Sequence, residues 1–90
     1  MTIERVLWEN DAIGQADLVR NGDVTPEELV EASIGRAERL NPQLNCIAEK
    51  MYDSARASAK SVDRNAPLAG VPFAIKDLGL AQKGVPLHSG

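Results

Sequence analysis

Leu68-Ala69-Gly70-Val71-Pro72-Phe73-Ala74-Ile75-Lys76-Asp77 is apolar for eight residues and then turns abruptly to two charges. An uninterrupted apolar run bounded by charge is the pattern of a strand buried on both faces, as in the sheet of an α/β protein. Pro72 has no N–H to give to a ladder, which puts it at the strand's first residue or at an edge. Side chains alternate along a strand, so Val71, Phe73 and Ile75 share one face and Pro72, Ala74 and Lys76 the other. Lys76 is therefore expected to leave the carboxyl end of the strand over a surface of small residues. Carboxyl ends of strands in open α/β sheets are where ligand crevices form. Between Ile75 and Leu78 the amine would be poorly hydrated. Desolvation disfavours the ammonium form, which is what a lysine acting as general base requires. Asp77 would oppose this by approaching the amine, but it alternates to the other face. The plainer alternative is a boundary charge that reaches water or pairs with a carboxylate.

Ahead of this run the sequence reads as helices. Residues 1–10 form a loose lead-in, with Val6, Leu7 and Trp8 as an apolar anchor. Asn10 or Asp11 can cap a helix running to about Arg20, and Asn21-Gly22 stops it. Thr25, Pro26 and Glu28 form the sharpest start signal. Threonine at the N-cap, proline at the first helical position and glutamate three residues on make a capping box. Leu29, Val30, Ser33, Ile34, Ala37 and Leu40 then recur at helical spacing, predicting a helix over 26–40 that ends at Asn41-Pro42. Leu44 to Ala48 reads as a short strand, and about 52–62 as a third helix with Ala55, Ala59 and Val62 on one stripe. Residues 79–90, rich in glycine, read as a loop. The expectation is an α/β fold in which this chain contributes about three helices and two short strands.

The segment Leu68 to Asp77 closely resembles the motif around the catalytic lysine of the amidase signature family, L-x-G-x-P-(aromatic or aliphatic)-x-x-K-D. The likeness extends both ways. The capped acidic helix ending in Leu40-Asn41-Pro42, the Leu44–Ile47 stretch and the alanine-rich helix after it are similar to that family's amino-terminal region. Gly84-Val85-Pro86 and Gly90 can be set against its G-x-P-T-T-x-G segment. Leu78 stands where many members have asparagine, and is similar to members that hydrolyse nylon-type cyclic amides. Leu87 and His88 stand where Thr-Thr is frequent, and one extra residue lies between Lys76 and Gly84. These departures leave the subfamily and the contour of the substrate pocket open.

The resemblance implies a single domain with a mixed sheet flanked by helices, of which residues 1–90 would be the amino-terminal part. It also implies amide hydrolysis by a serine–cis-serine–lysine triad. Lys76 is the one triad residue that maps onto this sequence; the family's two serines lie further along than Gly90. Ser33, Ser54, Ser58 and Ser61 fall in expected helices, Ser89 matches no triad position, and no metal or organic cofactor is implied. The expected partners are a small amide substrate and the remainder of the same enzyme, with a homodimer as an allowed assembly. Two alternatives stay open: the amidase subunit of a tRNA-dependent amidotransferase, and a non-catalytic helical module that binds a partner.

Composition narrows the field further. Hydrophobic residues make up 43% and charged residues 26%, an ordinary globular balance, but aromatics are only 3%. Alanine contributes little burial per residue, so the helices are expected to pack closely onto something else. A net charge of −3 without a basic stripe argues against nucleic-acid binding. One cysteine, Cys46, excludes an internal disulfide and is expected to be a small buried hydrophobe. The first residues lack a signal-peptide pattern, and no apolar stretch approaches the ~20 residues that span a bilayer. A cytoplasmic protein without membrane contact is expected. His88, the sole histidine, has no partner at ligand spacing, so no metal site is predicted.

Overall fold

A computed structural model describes residues 2–47 and 49–74. Four helices follow one another among these residues: α1 (Ile3–Glu9), α2 (Ala12–Arg20), α3 (Pro26–Leu44) and α4 (Tyr52–Lys60). Among the described residues there is no strand, and no helix is long and apolar enough to cross a membrane.

The local signals explain most of the boundaries. Asp11 caps α2, its carboxylate accepting the Gly14 N–H at 2.8 Å. At the other end Gly22 has φ +81°, donates to the Val19 carbonyl, and lets Asp23 donate to the Leu18 carbonyl. That pair of bonds closes the helix as a Schellman turn, which needs a left-handed residue at this place. The capping box of α3 is complete: Glu28 N–H donates to Thr25 Oγ1 at 3.1 Å, and Thr25 N–H to Glu28 Oε1 at 2.9 Å.

Val6, Val19, Val24, Leu29 and Ala69 form the core, with Ile3, Leu7, Leu18, Val62 and Ala66 packed around them. Each fully buried Val or Leu contributes about 1.5–3 kcal/mol. The buried Gln15 joins α1 to α2 by donating to the carbonyls of Leu7, at 3.2 Å, and Asn10, at 3.1 Å. Helix α3 packs on both α1 and α4. Surface pairs Arg39–Glu4 and Arg56–Glu31 span the same two contacts; exposed pairs of this kind add little each.

Several expectations are corrected. Residues 3–9 are helical because Ile3, Val6 and Leu7, at i, i+3 and i+4, turn one face to the core. Trp8 is 59% exposed, so Val6 rather than Trp8 anchors this end. Ile13, at the start of α2, is exposed as well. Helix α3 runs through Asn41-Pro42 to Leu44. Proline's φ is already helical, and near a carboxyl end it forfeits one N–H bond for a turn that Asn45, at φ +49°, then closes. The Asn41 side chain takes the Ile47 N–H at 2.8 Å, which fixes the exit. That extension consumes Leu44 and removes the short strand expected over Leu44–Ala48; Ala48 itself lies outside the described residues. Cys46 is exposed, not buried.

Candidate active-site segment

The apolar run that starts at Leu68 touches the core at Ala69 and has left it by Phe73. From Asp63 the chain descends through turns, with Ala66 N–H donating to Asp63 O at 3.0 Å, Ala69 N–H to Ala66 O at 3.2 Å and Val71 N–H to Leu68 O at 3.2 Å. Gly70 occupies the third position of the last turn with φ +78°, the conformation a type II turn demands there. Ala69 is 1% exposed and belongs to the core. A Cβ on Gly70 would stand 3.1 Å from Pro26 Cβ, Pro26 Cγ and Val19 Cγ2. Upstream, Arg20 Nη1 donates to the Ala66 carbonyl at 3.1 Å, while the same guanidinium pairs with Asp17.

Beyond this seat the segment emerges. Val71 and Pro72 are half-buried, Ala74 is exposed and Phe73 is 85% exposed. The strand buried on both faces that the apolar run predicts is thus absent from Leu68–Ala74. Leu68–Gly70 is turn, and no neighbouring strand stands beside Val71–Ala74 among the described residues. Ile75, Lys76, Asp77, Leu78, His88 and Ser89 lie outside the described residues. At φ +78° Gly70 turns the chain from the core residue Ala69 into Val71–Ala74. The seat on Val19 and Pro26 and the Arg20 tie were not legible in the sequence, because no local pattern links residues so far apart.

The serines upstream of the motif take helical roles. Ser33 is half-buried on α3, Ser54 and Ser58 are exposed on α4, and Ser61 ends α4 with its hydroxyl donating to the Ser58 carbonyl at 3.4 Å. Among the described residues no group of three His, Cys, Asp or Glu side chains could hold a metal ion.

A second polar cluster joins α3 to the start of α4. Lys50 Nζ lies 3.2 Å from Glu38 Oε1 and 6.0 Å from the centre of the Tyr52 ring. The Lys50 ammonium, and after it the Tyr52 hydroxyl, hold the Glu38 carboxyl below the usual carboxylate range. Shielding of the Tyr52 hydroxyl, and after it the Glu38 carboxylate, push the phenol up. The Lys50–Glu38 pair links the end of the 45–51 connection to α3 at the surface.

The Amidase family matches residues 28–88, more than half of the chain, including the Gly70 turn and Lys76. The 6-aminohexanoate-cyclic-dimer hydrolase of Pseudomonas sp. (strain NK87) is 37% identical over 78 residues, covering 87% of this chain and 15% of its own length. The lipoamidase of Enterococcus faecalis is 39% identical over 74 residues, covering 81% of this chain and 10% of its own. A glutamyl-tRNA(Gln) amidotransferase subunit of Synechococcus sp. (strain CC9605) is 40% identical over 74 residues, covering 74% and 15%. No solved structure matches. The chain spans about 15% of the length of the first of these curated relatives, and by its family match it belongs to the Amidase family.

Proposed function

We propose that residues 1–90 are the amino-terminal part of a single amidase signature domain and that Lys76 is its general base for amide hydrolysis. The single observation that carries this is the ten-residue run Leu68–Asp77, which fits the family's lysine motif within a matched region that contains it. Neutral Lys76 accepts a proton through a bridging serine from a nucleophilic serine, both supplied downstream of Gly90. The serine oxygen adds to the amide carbonyl, and backbone N–H groups stabilise the oxyanion. The C–N bond then breaks, and the leaving amine takes the proton. Water, deprotonated by the same relay, splits the acyl-enzyme and releases the acid. No metal or organic cofactor takes part in these steps.

The exposed Leu68 and Phe73 suit a face that downstream polypeptide covers. The partners are that polypeptide, a small amide, and in a homodimer a second copy. With a sequence pI near 5 the surface does not favour nucleic acid, and the cytoplasm is the proposed compartment. Leu78, which follows Lys76-Asp77 as in cyclic-amide hydrolases, favours a free amidase over an amidotransferase component. A cyclic dimer of 6-aminohexanoate is therefore the first substrate to try, followed by hexanamide and glutamine.

The test is turnover of these amides by the full-length protein carrying residues 1–90, alone and with misacylated tRNA and ATP. Hydrolysis without tRNA, lost in Lys76→Ala, supports the free amidase. Turnover only with tRNA and a second polypeptide would favour the amidotransferase, and none at all the non-catalytic helical module.

A further inference from the structure

We propose that Gly70 is a positioning residue, whose seat on Val19 and Pro26 fixes where the chain leaves the helical core and so where Lys76 enters the active site. The inference rests on Lys76 being the general base.

Three ties converge on this turn. Gly70 holds φ +78°, which L side chains rarely adopt. Its Cα side faces Pro26 and Val19 so closely that a methyl group would need one of them to move. Neither can move freely: Val19 is wholly buried and, being β-branched in a helix, has one preferred rotamer. Pro26 is the buried first residue of α3, held by the capping box on either side. The third tie is upstream, where Arg20 grips the Ala66 carbonyl from an exposed position.

The geometry makes the turn a pivot. Val71–Ala74 spans at most about 13 Å, so a rotation of about 5° at Gly70 moves its far end by up to about 1 Å. A misplacement of that size at a reacting group can cost on the order of 100-fold in rate. Gly22 supplies an internal control. It has nearly the same φ, +81°, yet nothing lies within 4 Å of where its Cβ would be. Alanine at Gly22 therefore imposes the backbone strain without the collision.

The experiment compares Gly70→Ala, Gly22→Ala, Arg20→Ala and Lys76→Ala in the full-length protein, on whichever amide it turns over fastest. Gly70→Ala is expected to lower kcat roughly 10- to 100-fold with KM within about twofold. It should also move the acidic limb of the kcat/KM profile to higher pH, because a displaced amine is better hydrated and harder to deprotonate. Gly22→Ala should keep kcat within about twofold and leave the limb in place, as expected of a remote backbone strain. Should Gly70→Ala not fold, Arg20→Ala carries the test: about threefold in kcat and a limb displaced the same way. An unmoved limb and an unchanged kcat in the folded Gly70 or Arg20 variants would overturn the proposal. So would a Gly22 variant that matches the Gly70 variant in both. Full activity in Lys76→Ala, or no turnover of any amide by the parent, instead removes the hydrolase reading on which the proposal stands.

Discussion

Gly70 meets Pro26 so closely that a Cβ on the glycine would lie 3.1 Å from two carbons of the proline ring, although the two residues stand 44 positions apart (70 − 26) in the sequence. The contact joins the motif to the first residue of α3. In urea unfolding of the 90-residue chain, Gly22→Ala should cost about 1–2 kcal/mol from φ alone. Gly70→Ala should cost a further 1–3 kcal/mol, roughly, from the collision. Equal costs at the two positions would mean that the seat yields without strain.

Thr25→Ala removes the acceptor for the Glu28 N–H and half of the capping box. The expected loss is about 1 kcal/mol, read as a lower urea midpoint at constant slope. Thr25→Ser should keep most of the stability, since its hydroxyl can accept the same bond.

Leu29 is fully buried among Val6, Val19, Val24 and Ala69. Leu29→Ala should cost about 2–5 kcal/mol, a large share of the stability of a domain this size. Truncating Ile13, exposed on α2, should cost less than about 0.5 kcal/mol. The contrast is measured by thermal unfolding of both variants at one pH.

Glu38 and Tyr52 set opposite pH limits. Glu38 is held below the usual carboxylate range by Lys50 and then Tyr52. Its contribution is therefore present above the unfolded-state value and lost as pH falls through the lower folded value. Tyr52 is raised, first by shielding and then by Glu38. Its contribution is present below the ordinary phenol value and lost as pH rises through the higher folded one. Glu38→Gln should flatten the acidic arm of the urea midpoint against pH, and Tyr52→Phe the alkaline arm. Because the ion pair is surface-exposed, added salt should shrink the Glu38 effect. A Glu38→Gln profile that coincides with the parent's at acidic pH would show that the pair does not couple to folding.

Local signals were legible wherever a few adjacent residues settle the backbone. Thr25-Pro26 with Glu28 fixed the start of α3, and Asn21-Gly22 the end of α2, because caps satisfy their hydrogen bonds within a turn. Tertiary context overrode the rest. Helix α3 passes Pro42 because Asn41 and Asn45 close it later, and α1 exists because its apolar face meets the core. An apolar stretch such as Leu68–Ala74 reads as a strand from pattern alone, whereas its first half is a turn pinned by Val19 and Pro26. The lysine motif itself was readable as a run of residues. The support beneath it was not, since Arg20 and Ala66 lie 46 positions apart.

The assignment of Lys76 stands or falls on the pH dependence of kcat/KM for amide hydrolysis by the full-length protein, parent against Lys76→Ala. Removal of the general base should lower kcat/KM by roughly 100- to 10,000-fold and abolish the acidic limb. A Lys76→Ala protein that keeps the parent's rate and the same limb would contradict the assignment of the proton acceptor to this lysine.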